Sequence, residues 1–438
     1  MINLESKNEL GLKMHQWAHT LFPICRSILG PGVRETLSFL QHQIPDLEVR
    51  RVKTGTQVFD WTIPKEWHVK EAYIADLDGN KVIDFVNSNL HLVGYSTAVN
   101  LTISRDNLLP HLYSLPNLPN AIPYVTSYYK ERWGFCVSEQ QMKEFVKNEY
   151  KVVIDSEFID GELNYGELLI KGESDKEVLI STYICHPSMA NNELSGPVVT
   201  TALAQLINDL KNRYYSYRVV FVPETIGSIS FIHANIKKLK ENVVAGFVLT
   251  CIGDERAYSY LSSRSENTLS DRVAKHVLFH HTQDNYKSYS FLDRGSDERQ
   301  YCAPGVDLPI CSIMRTKYGE YPEYHTSLDD LNLVTPDGLA GGLEVAYKSI
   351  LLLEHNKYYK VSAYCEPQLG KRGLYPTLSK MDEDYADVRT LLNFIAYCDG
   401  KRDLISIAEK IGVDALSLIP TIQRLLNEGL LLMGNKEF

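Results

Sequence analysis

Residues 177–209 read EVLISTYICHPSMANNELSGPVVTTALAQLIND, and this stretch decides the fold. The apolar run Val178–Ile184 has the length and β-branched content of a buried strand. It ends at Cys185-His186-Pro187, and apolar residues at helical spacing resume from Val198. We therefore predict a strand, a polar loop and a buried helix. His186 then lies at the carboxyl end of the strand, which is where open α/β sheets bind ligands.

The same alternation of strand and helix patterns continues from residue 151 to about residue 365. Such alternation is typical of a mostly parallel sheet flanked by helices. The predicted strands share an apolar composition and are Glu167–Ile170, Val178–Ile184, Arg218–Val222, Ala245–Cys251 and Leu308–Met314. The fold class predicted for this region is therefore α/β, with a mostly parallel mixed sheet.

The two ends of the chain have different patterns. Residues 1–48 are predicted to be helical, and residues 49–150 show the short alternating runs of a small β-rich domain, with a hairpin turn at Asp78-Gly79. Residues 366–381 are turn-rich and are predicted to be a linker. The tail up to residue 438 is predicted to form three short helices, closed by Gly400, Gly412 and Gly429, as in a winged-helix or helix-turn-helix module.

The composition restricts the partners and the compartment. The 438 residues are 44% hydrophobic and 23% charged, as in globular proteins, and carry a net charge of −10. A negative charge disfavours nucleic acid as the main partner, and the tail has similar numbers of acidic and basic residues. For the tail we therefore prefer packing or dimerisation, and a homo-oligomer is compatible with it. Eight scattered cysteines, no membrane-length apolar run and no secretion signal predict a cytoplasmic protein without membrane contact.

Polar residues follow the predicted strands at five places. These are His186 with Asn191-Asn192-Glu193, Pro223–Ser228 with Glu224, Asp254, Gly295–Tyr301, and Tyr324–Asp330 with His325. Two histidines and several carboxylates at strand ends suit a zinc site with one position open for water. A carboxylate beside such a metal can transfer the proton of the water, and Asp329 or Asp330 can fix the tautomer of His325. Helix capping and salt bridges are the simpler roles for single residues of these types.

Each of four other residues in these loops has two possible roles. Asp297 and Arg299 are candidates for binding the amine or the carboxylate of a substrate, or for a structural ion-pair network. Tyr301 is a candidate for stabilising an oxyanion, or for lining a pocket wall. Cys185 can be a soft metal ligand or simply a buried thiol.

Read in order, the motifs His186, Asn191–Gly196, Pro223–Ser228, Gly295-Ser296-Asp297 and Tyr324–Ser327 resemble those of the zinc aminopeptidases of the M28 type, clan MH. The segments Cys185–Gly196 and Tyr318–His325 resemble most the DUF4910 group of aminopeptidase-like proteins. In that group a small β domain, DUF2172, is inserted and a winged helix follows. The resemblance covers nearly the whole chain, and it implies an inserted domain at residues 49–150 in a zinc aminopeptidase-like fold.

The resemblance also implies roles for single residues. His186 and His325 match the metal-binding histidines, and Glu224 matches the glutamate that acts as general base. Three matching positions depart from the pattern of a two-zinc site. Asn192 occupies the position of the aspartate that bridges two zinc ions. Thr225 occupies the position of a second glutamate, and Thr250 that of an aspartate ligand. A neutral amide is a poor bridge between two dications.

We therefore expect one zinc ion rather than two, held by His186, His325 and Glu193, and a zinc-dependent amide hydrolase of the aminopeptidase type. Its expected substrate is a peptide or a small amide. One alternative is an amide hydrolase that acts on a non-peptide such as an N-acylated amino sugar. Another is a degenerate aminopeptidase fold that binds a ligand without catalysis, which the departures at Asn192 and Thr225 favour.

Overall fold

The computed structural model describes residues 4–374 and 383–436 of the chain. The helices in chain order are α1 (Leu4–Leu21), α2 (Pro31–Gln43), α3 (Arg105–Leu108), α4 (Glu139–Met142), α5 (Ser195–Asp209), α6 (Ile226–Asn242), α7 (Leu269–Thr282), α8 (Glu298–Tyr301), α9 (Pro336–His355), α10 (Glu383–Tyr397), α11 (Leu404–Ile411) and α12 (Ile419–Asn427).

The strands in chain order are β1 (Glu48–Lys53), β2 (Gln57–Val58), β3 (Trp61–Thr62), β4 (Glu66–Ala75), β5 (Lys81–Asp84), β6 (Val99–Ser104), β7 (Leu112–Tyr113), β8 (Phe135–Cys136), β9 (Glu149–Ile159), β10 (Glu162–Ile170), β11 (Glu177–Tyr183), β12 (Ser216–Val222), β13 (Val243–Leu249), β14 (Ser259–Leu261), β15 (Lys287–Tyr289), β16 (Ile310–Met314), β17 (Tyr358–Val361), β18 (Asp399–Asp403) and β19 (Leu431–Gly434).

The chain divides into two compact units. The first contains the residues up to 271 together with residues 286–344, and the second contains residues 272–285 and those after residue 344. Within the residues that the structure describes, no helix is long and apolar enough to span a membrane. The domain borders at residues 48, 150 and 365 stay predictions.

A mixed sheet forms the centre of the first unit. Among the described residues it has eight strands, in the order β1-β10-β12-β11-β13-β16-β14-β15. The four strands β12, β11, β13 and β16 run parallel, while β10 and β14 are antiparallel to their neighbours in this group. Every residue of β11, β12 and β16 is buried, as in sheets covered by helices on both faces. The predicted fold class is therefore confirmed.

This strand order brings the polar loops together. β11 lies between β12 and β13, so the segments after these three strands leave the same edge of the sheet. The segment after β16 leaves the same edge. Gly196 lets α5 start close to this edge, since a Cβ there would lie 2.5 Å from the carbonyl oxygen of Leu249. The predicted sites at His186, Glu224 and His325 follow β11, β12 and β16.

The β-rich segment contains a four-stranded antiparallel sheet in the order β5-β4-β9-β6. Asp78-Gly79 lies in the turn between β4 and β5, as predicted, and Gly79 has a φ of 91° that favours glycine. At the base of this sheet, both oxygens of Glu66 accept hydrogen bonds from Arg34 in α2, at 2.8 and 3.0 Å. This bidentate pair joins the sheet to the helical N-terminal segment.

The second unit has helices α10, α11 and α12 and the antiparallel sheet β18-β17-β19. Asp403 caps α11 through the backbone N–H of Ser406 and accepts two hydrogen bonds from Arg272. The three predicted helices are therefore present, and the sheet adds the wing. Residues 375–381 of the predicted linker lie outside the described residues.

Candidate active site

His186 is held by Glu193. Nδ1 of His186 lies 2.8 Å from Oε2 of Glu193, and both side chains are buried. A carboxylate can only accept, so Nδ1 carries the proton and donates it. Nε2 on the other side of the ring lies 3.4 Å from Oε2 of Glu224. The Glu193 carboxylate thus fixes the orientation of the ring and leaves Nε2 directed at Glu224.

The segment around Glu193 is a buried turn rather than the predicted polar loop. Ala190–Leu194 forms a π-helical turn that continues into α5. The carboxylate of Asp329 accepts the backbone N–H groups of Asn191 and Asn192, at 2.6 and 2.9 Å. These bonds satisfy amides that a helix start leaves free, so the turn can be buried. Asp329 accepts a third hydrogen bond, from Tyr321.

The carboxylates after His325 have structural roles. Because Asp329 binds the turn before α5, it does not fix the tautomer of His325 as we predicted. Asp330 does not either, since its Oδ1 accepts the backbone amides of Asn332 and Leu333 and its Oδ2 accepts the side-chain amide of Asn332. Sequence spacing could not distinguish these partners, because the turn around Glu193 is more than a hundred residues away in the chain.

Arg26 is a site residue that the sequence analysis missed. Its side chain is fully buried, its Nε donates to the carbonyl oxygen of His186 at 2.8 Å, and the same Nε lies 3.5 Å from Oε1 of Glu193. Burial lowers the pKa of Arg26, and the charge of Glu193 acts in the opposite direction. No local pattern marks Arg26, which is 160 positions from His186.

Glu224 follows β12 at the start of α6. Its backbone N–H donates to Sγ of Cys185 at 3.2 Å, which holds the loop against the end of β11. Burial alone would raise the pKa of Glu224, but the hydrogen bond and charge of His186, with the charge of Arg299, lower it. Glu224 is therefore a carboxylate, the form that accepts a proton. Its side chain is 22% exposed.

The residue after Glu224 has a strained backbone. Thr225 has a φ of 65°, which is unfavourable for a β-branched residue. Oδ1 of Asp297 accepts the Thr225 N–H at 2.8 Å and the hydroxyl of Ser228 at 2.7 Å. Burial, followed by the charge of Glu224, raises the pKa of Asp297 to about 7. The fully buried Asp297 therefore supports the Glu224 loop, and the structure offers no support for contact with a substrate.

Arg299 and Tyr301, the other predicted substrate-binding residues, lie in different surroundings. Arg299 is half-buried, and its Nη2 donates to Oγ1 of Thr225 at 2.6 Å, next to Glu224. Tyr301 is fully buried in the hydrophobic core, and its hydroxyl is 2.8 Å from Oγ of Ser181. Arg299 thus lies at the site, whereas Tyr301 packs beneath it.

Tyrosine rings pack against the two histidines, and of these the sequence analysis placed Tyr324 in a site motif but did not single out Tyr124. The ring of Tyr124 packs edge-on against His186 and His325, at 5.3 and 5.2 Å between centroids. Tyr324 stacks on His325 at 3.9 Å, and the two histidine rings are 5.7 Å apart. Burial and the charge of His186 lower the pKa of His325 to about 3, so this imidazole is neutral and able to bind a metal.

The positions that the resemblance matches to acidic zinc ligands hold the neutral residues Asn192, Thr225 and Thr250, and Asn192 and Thr250 are linked through Tyr183. The hydroxyl of Tyr183 lies 2.5 Å from Oγ1 of Thr250 and donates to Oδ1 of Asn192 at 3.2 Å. Asp254, the nearest acidic residue after Thr250 in the chain, is engaged by Asn191 and Thr316. These contacts leave no carboxylate among the three matching positions for a second metal ion.

Two sides of His186 could receive a metal ion. On the Nδ1 side, ligand atoms of Cys185, His186 and Glu193 lie within 4.8 Å of one another. The Arg26 cation lies on that side and repels a dication. Burial raises the pKa of the Cys185 thiol to about 11, which disfavours the thiolate that would bind a metal. This set is therefore unfavourable for a dication. The Nε2 side offers a directed imidazole with the Glu224 carboxylate, and neutral His325 lies nearby. The two imidazoles are nitrogen donors that suit one zinc ion and supply two of the three protein ligands of a catalytic zinc site, with the Glu224 carboxylate beside them.

The comparisons with known proteins agree with this architecture. A model of the family described as domain of unknown function DUF4910 matches residues 15–356. The chain belongs to the DUF4910 family. A winged helix-turn-helix model matches residues 356–433 of this DUF4910 protein. The predicted DUF4910 membership and winged helix are thus confirmed, while the DUF2172 insertion and the clan stay predictions.

Individual relatives cover most of the DUF4910 chain. A Clostridium acetobutylicum protein, provisionally named a polysaccharide biosynthesis protein with aminopeptidase-like domain, is 43% identical over 94% of each chain. A crystal structure of a provisionally assigned peptidase from the same organism has 41% identity, a TM-score of 0.92 and 98% coverage of each chain. The zinc aminopeptidase of Bacillus subtilis has 12% identity and a TM-score of 0.58, covering 79% of this chain and 94% of its own. This last likeness shows the aminopeptidase fold alone.

Proposed function

We propose that this DUF4910 protein hydrolyses amide bonds with the help of one zinc ion. The observation that carries the proposal is the 3.4 Å between Oε2 of Glu224 and Nε2 of His186, with His325 beside them. An ionised carboxylate, a directed imidazole and a neutral imidazole thus converge at the carboxyl edge of a parallel sheet. These are the groups that hydrolysis by a metal-activated water needs.

His186 and His325 would hold the zinc ion in this proposal. When bound, zinc would supply a positive charge that polarises the scissile carbonyl and makes a water molecule more acidic. We further propose that Glu193 positions His186 and is not a ligand, which revises our prediction from the sequence. Two observations support this role: Oε2 of Glu193 receives the Nδ1 proton, and Oε1 faces Arg26.

Glu224 would transfer the proton of the reaction. As the oxygen of water bonds to the carbonyl carbon, the Glu224 carboxylate accepts a proton from that water. When the carbon–nitrogen bond breaks, Glu224 gives the proton to the departing nitrogen. Its lowered pKa keeps it ionised before the reaction, as a base must be. Asp297 contributes by holding Thr225, and with it the Glu224 loop, in place.

We propose that the insertion predicted at residues 49–150 spans residues 54–161, because β1 belongs to the central sheet and β9 to the β-rich sheet, and that it carries one wall of the site. β1 and β10 are antiparallel neighbours that pair Lys53 with Glu162, so the chain leaves and returns at one place. From the intervening segment, the backbone N–H of Tyr124 donates to the carbonyl oxygen of His325 at 2.8 Å. This bond supports a role for the insertion in placing Tyr124 over both histidines.

Two substrate classes fit the proposed chemistry. The first is a peptide, as expected from the resemblance to aminopeptidases. The second is an N-acylated amino sugar, which is favoured by the polysaccharide biosynthesis in the name of the Clostridium relative. Binding without catalysis is the third possibility, favoured by the neutral residues Asn192 and Thr225.

Zinc content and the Glu224→Gln variant test the proposal. Elemental analysis of protein purified without chelator should give about one zinc per chain, and His186→Ala should lose it. Glu224→Gln should keep the zinc and lose amide hydrolysis by at least about a hundredfold. Two zinc ions per chain would contradict the single site. Full activity of Glu224→Gln would remove the general-base role, and a parent without activity on any amide would favour the binding protein.

A further inference from the structure

Arg299 has hydrogen-bonding capacity that the protein does not use. Of the five N–H groups of its guanidinium, one is engaged, through Nη2, by Oγ1 of Thr225. Its Nε is buried and has no hydrogen-bond partner in the part of the chain that the structure describes. Among the described residues, no carboxylate oxygen lies within 4 Å of its guanidinium nitrogens.

The arginines of the first unit differ in their partners: the buried Arg315 donates to the carbonyl oxygens of Ala257 and Gly338, whereas two others are paired with acids. Arg218 binds Glu167 and Glu177, and Arg34 binds Glu66 through both Nη atoms. Partial burial costs a guanidinium part of its hydration, and for Arg299 the charges of Glu224 and Asp297 act without a direct ion pair to a carboxylate oxygen. The described residues therefore do not form the structural ion-pair network that was one of the two predicted roles of Arg299.

The acids next to Arg299 in the chain bind groups other than Arg299. Oδ1 of Asp297 binds the Thr225 amide and the Ser228 hydroxyl. Oε1 of Glu298 accepts hydrogen bonds from two backbone amides and Tyr318, and Oε2 accepts from Ser312. Oδ2 of Asp297 is buried without a hydrogen-bond partner, but within the described part of the chain it is not within 4 Å of the guanidinium nitrogens of Arg299. Arg299 therefore has room for an anionic oxygen group from outside the chain.

We propose that Arg299 binds an anionic group of the substrate, a carboxylate or a phosphate, close to the scissile amide. The position supports this role, because Thr225 directly follows Glu224, the proposed base. A guanidinium also suits these ligands, since its parallel N–H groups match the spacing of carboxylate and phosphate oxygens. The inference rests on the proposed amide hydrolysis and adds the charge of the substrate to it.

Matched pairs of amides test the inference with the zinc-loaded full chain. Leucyl-leucine has a carboxylate that leucyl-leucinamide lacks, and N-acetylglucosamine 6-phosphate has a phosphate that N-acetylglucosamine lacks. We expect KM to be about tenfold or more lower for the charged member of the pair that is hydrolysed, with kcat little changed. The pair that reacts distinguishes a carboxylate from a phosphate.

Variants assign the preference to Arg299. Arg299→Met should remove the difference in KM between charged and neutral members, and Arg299→Lys should retain part of it. Arg294 provides the matched control, since it is an exposed arginine of the same segment that donates to the carbonyl oxygen of Phe291. Arg294→Met should keep the full preference. Circular dichroism checks that each variant is folded.

Two results would overturn the inference. One is an equal KM for the charged and neutral members in the parent protein. The other is an Arg299→Met variant that loses kcat on both members to the same extent, as a merely structural residue would. If no amide is hydrolysed, the proposed function fails. Calorimetric measurement of ligand binding then tests whether Arg299 binds an anion. Tighter binding of leucyl-leucine than of leucyl-leucinamide, lost in Arg299→Met, would still support the anion site, and equal binding would refute it.

Discussion

Oε2 of Glu193 lies 2.8 Å from Nδ1 of His186, and Oε1 of the same carboxylate lies 3.5 Å from Nε of Arg26. All three side chains are buried. The carboxylate therefore connects a cation from the N-terminal segment to the far side of the proposed metal-binding imidazole. Partners of this kind orient a metal-binding histidine and raise its basicity.

We expect Glu193→Gln to weaken zinc binding by roughly 10–100-fold. The amide keeps the size of the side chain, but it loses the charge that holds the Nδ1 proton of His186. Competition with a chromophoric chelator measures the affinity. Glu177→Gln is the matched control, because Glu177 is a buried carboxylate bonded to Arg218 at the opposite end of β11. An equal loss of affinity in both variants would point to general destabilisation instead.

Arg26→Met should lower the free energy of unfolding at neutral pH by up to about 3–5 kcal/mol, because the buried Glu193 carboxylate then loses one of its two positive partners and keeps only His186. Urea denaturation of the metal-free protein measures this. Arg51→Met is the control, since that side chain is 69% exposed and 3.8 Å from Glu162, and it should change stability by less than about 0.5 kcal/mol. A double variant, Arg26→Met with Glu193→Met, should recover most of the loss. No recovery would show that the charge of Glu193 is not the cause.

Zinc binding should release one proton at about pH 6. Burial alone would lower the pKa of His186, but acidic neighbours, among them Cys185 and the hydrogen-bonded Glu193, raise it well above the ordinary value. The metal-free protein thus carries a charged His186, and this ring must lose its Nε2 proton to become a ligand. With a pKa of about 3, His325 has no proton to lose at this pH.

This release makes zinc affinity rise with pH as long as the pH is below the pKa of His186. Calorimetry in buffers of different ionisation enthalpy counts the protons. Two protons per zinc would mean that His325 is charged as well, and none would mean that His186 is already neutral. Ring nitrogen chemical shifts of labelled histidine give an independent measurement.

The stability contributed by the Arg34–Glu66 contact between α2 and the β-rich sheet should decrease in acid. Burial alone would raise the pKa of Glu66, but hydrogen bonds from Arg34, the Glu162 amide and His68 lower it to about 2. An unfolded glutamate titrates near 4.5, so the folded state gains stability from ionised Glu66 above that pH. This contribution decreases as the pH falls from about 4.5 to 2.

Unfolding free energies of the parent and of Glu66→Gln between about pH 5 and pH 2 test this. Their difference should be largest at pH 5 and shrink with acid, because Glu66→Gln never carries the charge. Asp160→Asn is a control, since Asp160 is exposed and 3.7 Å from Lys65. A difference that stays constant over this range would show that the charge of Glu66 adds no stability.

The elements around the site were largely predictable. β11, β12, β13 and β16 differ from the predicted strands by a few residues at their ends, because apolar runs and helical spacing are local signals. The turn at Ala190–Leu194 was not predictable in this way. Its burial depends on Asp329, which satisfies its amides from a segment far along the chain.

The sequence by itself determined the α/β class, the winged-helix tail and the placement of His186, Glu224 and His325 after strands. Parallel strands must bring such residues to one edge of the sheet. Only the tertiary structure decided that Glu193 accepts a hydrogen bond from Nδ1 of His186 and that Arg26 faces Glu193. The physical reason is that hydrogen bonds and ion pairs form between segments which packing brings together, and the 160 positions between Arg26 and His186 carry no periodic signal of that contact.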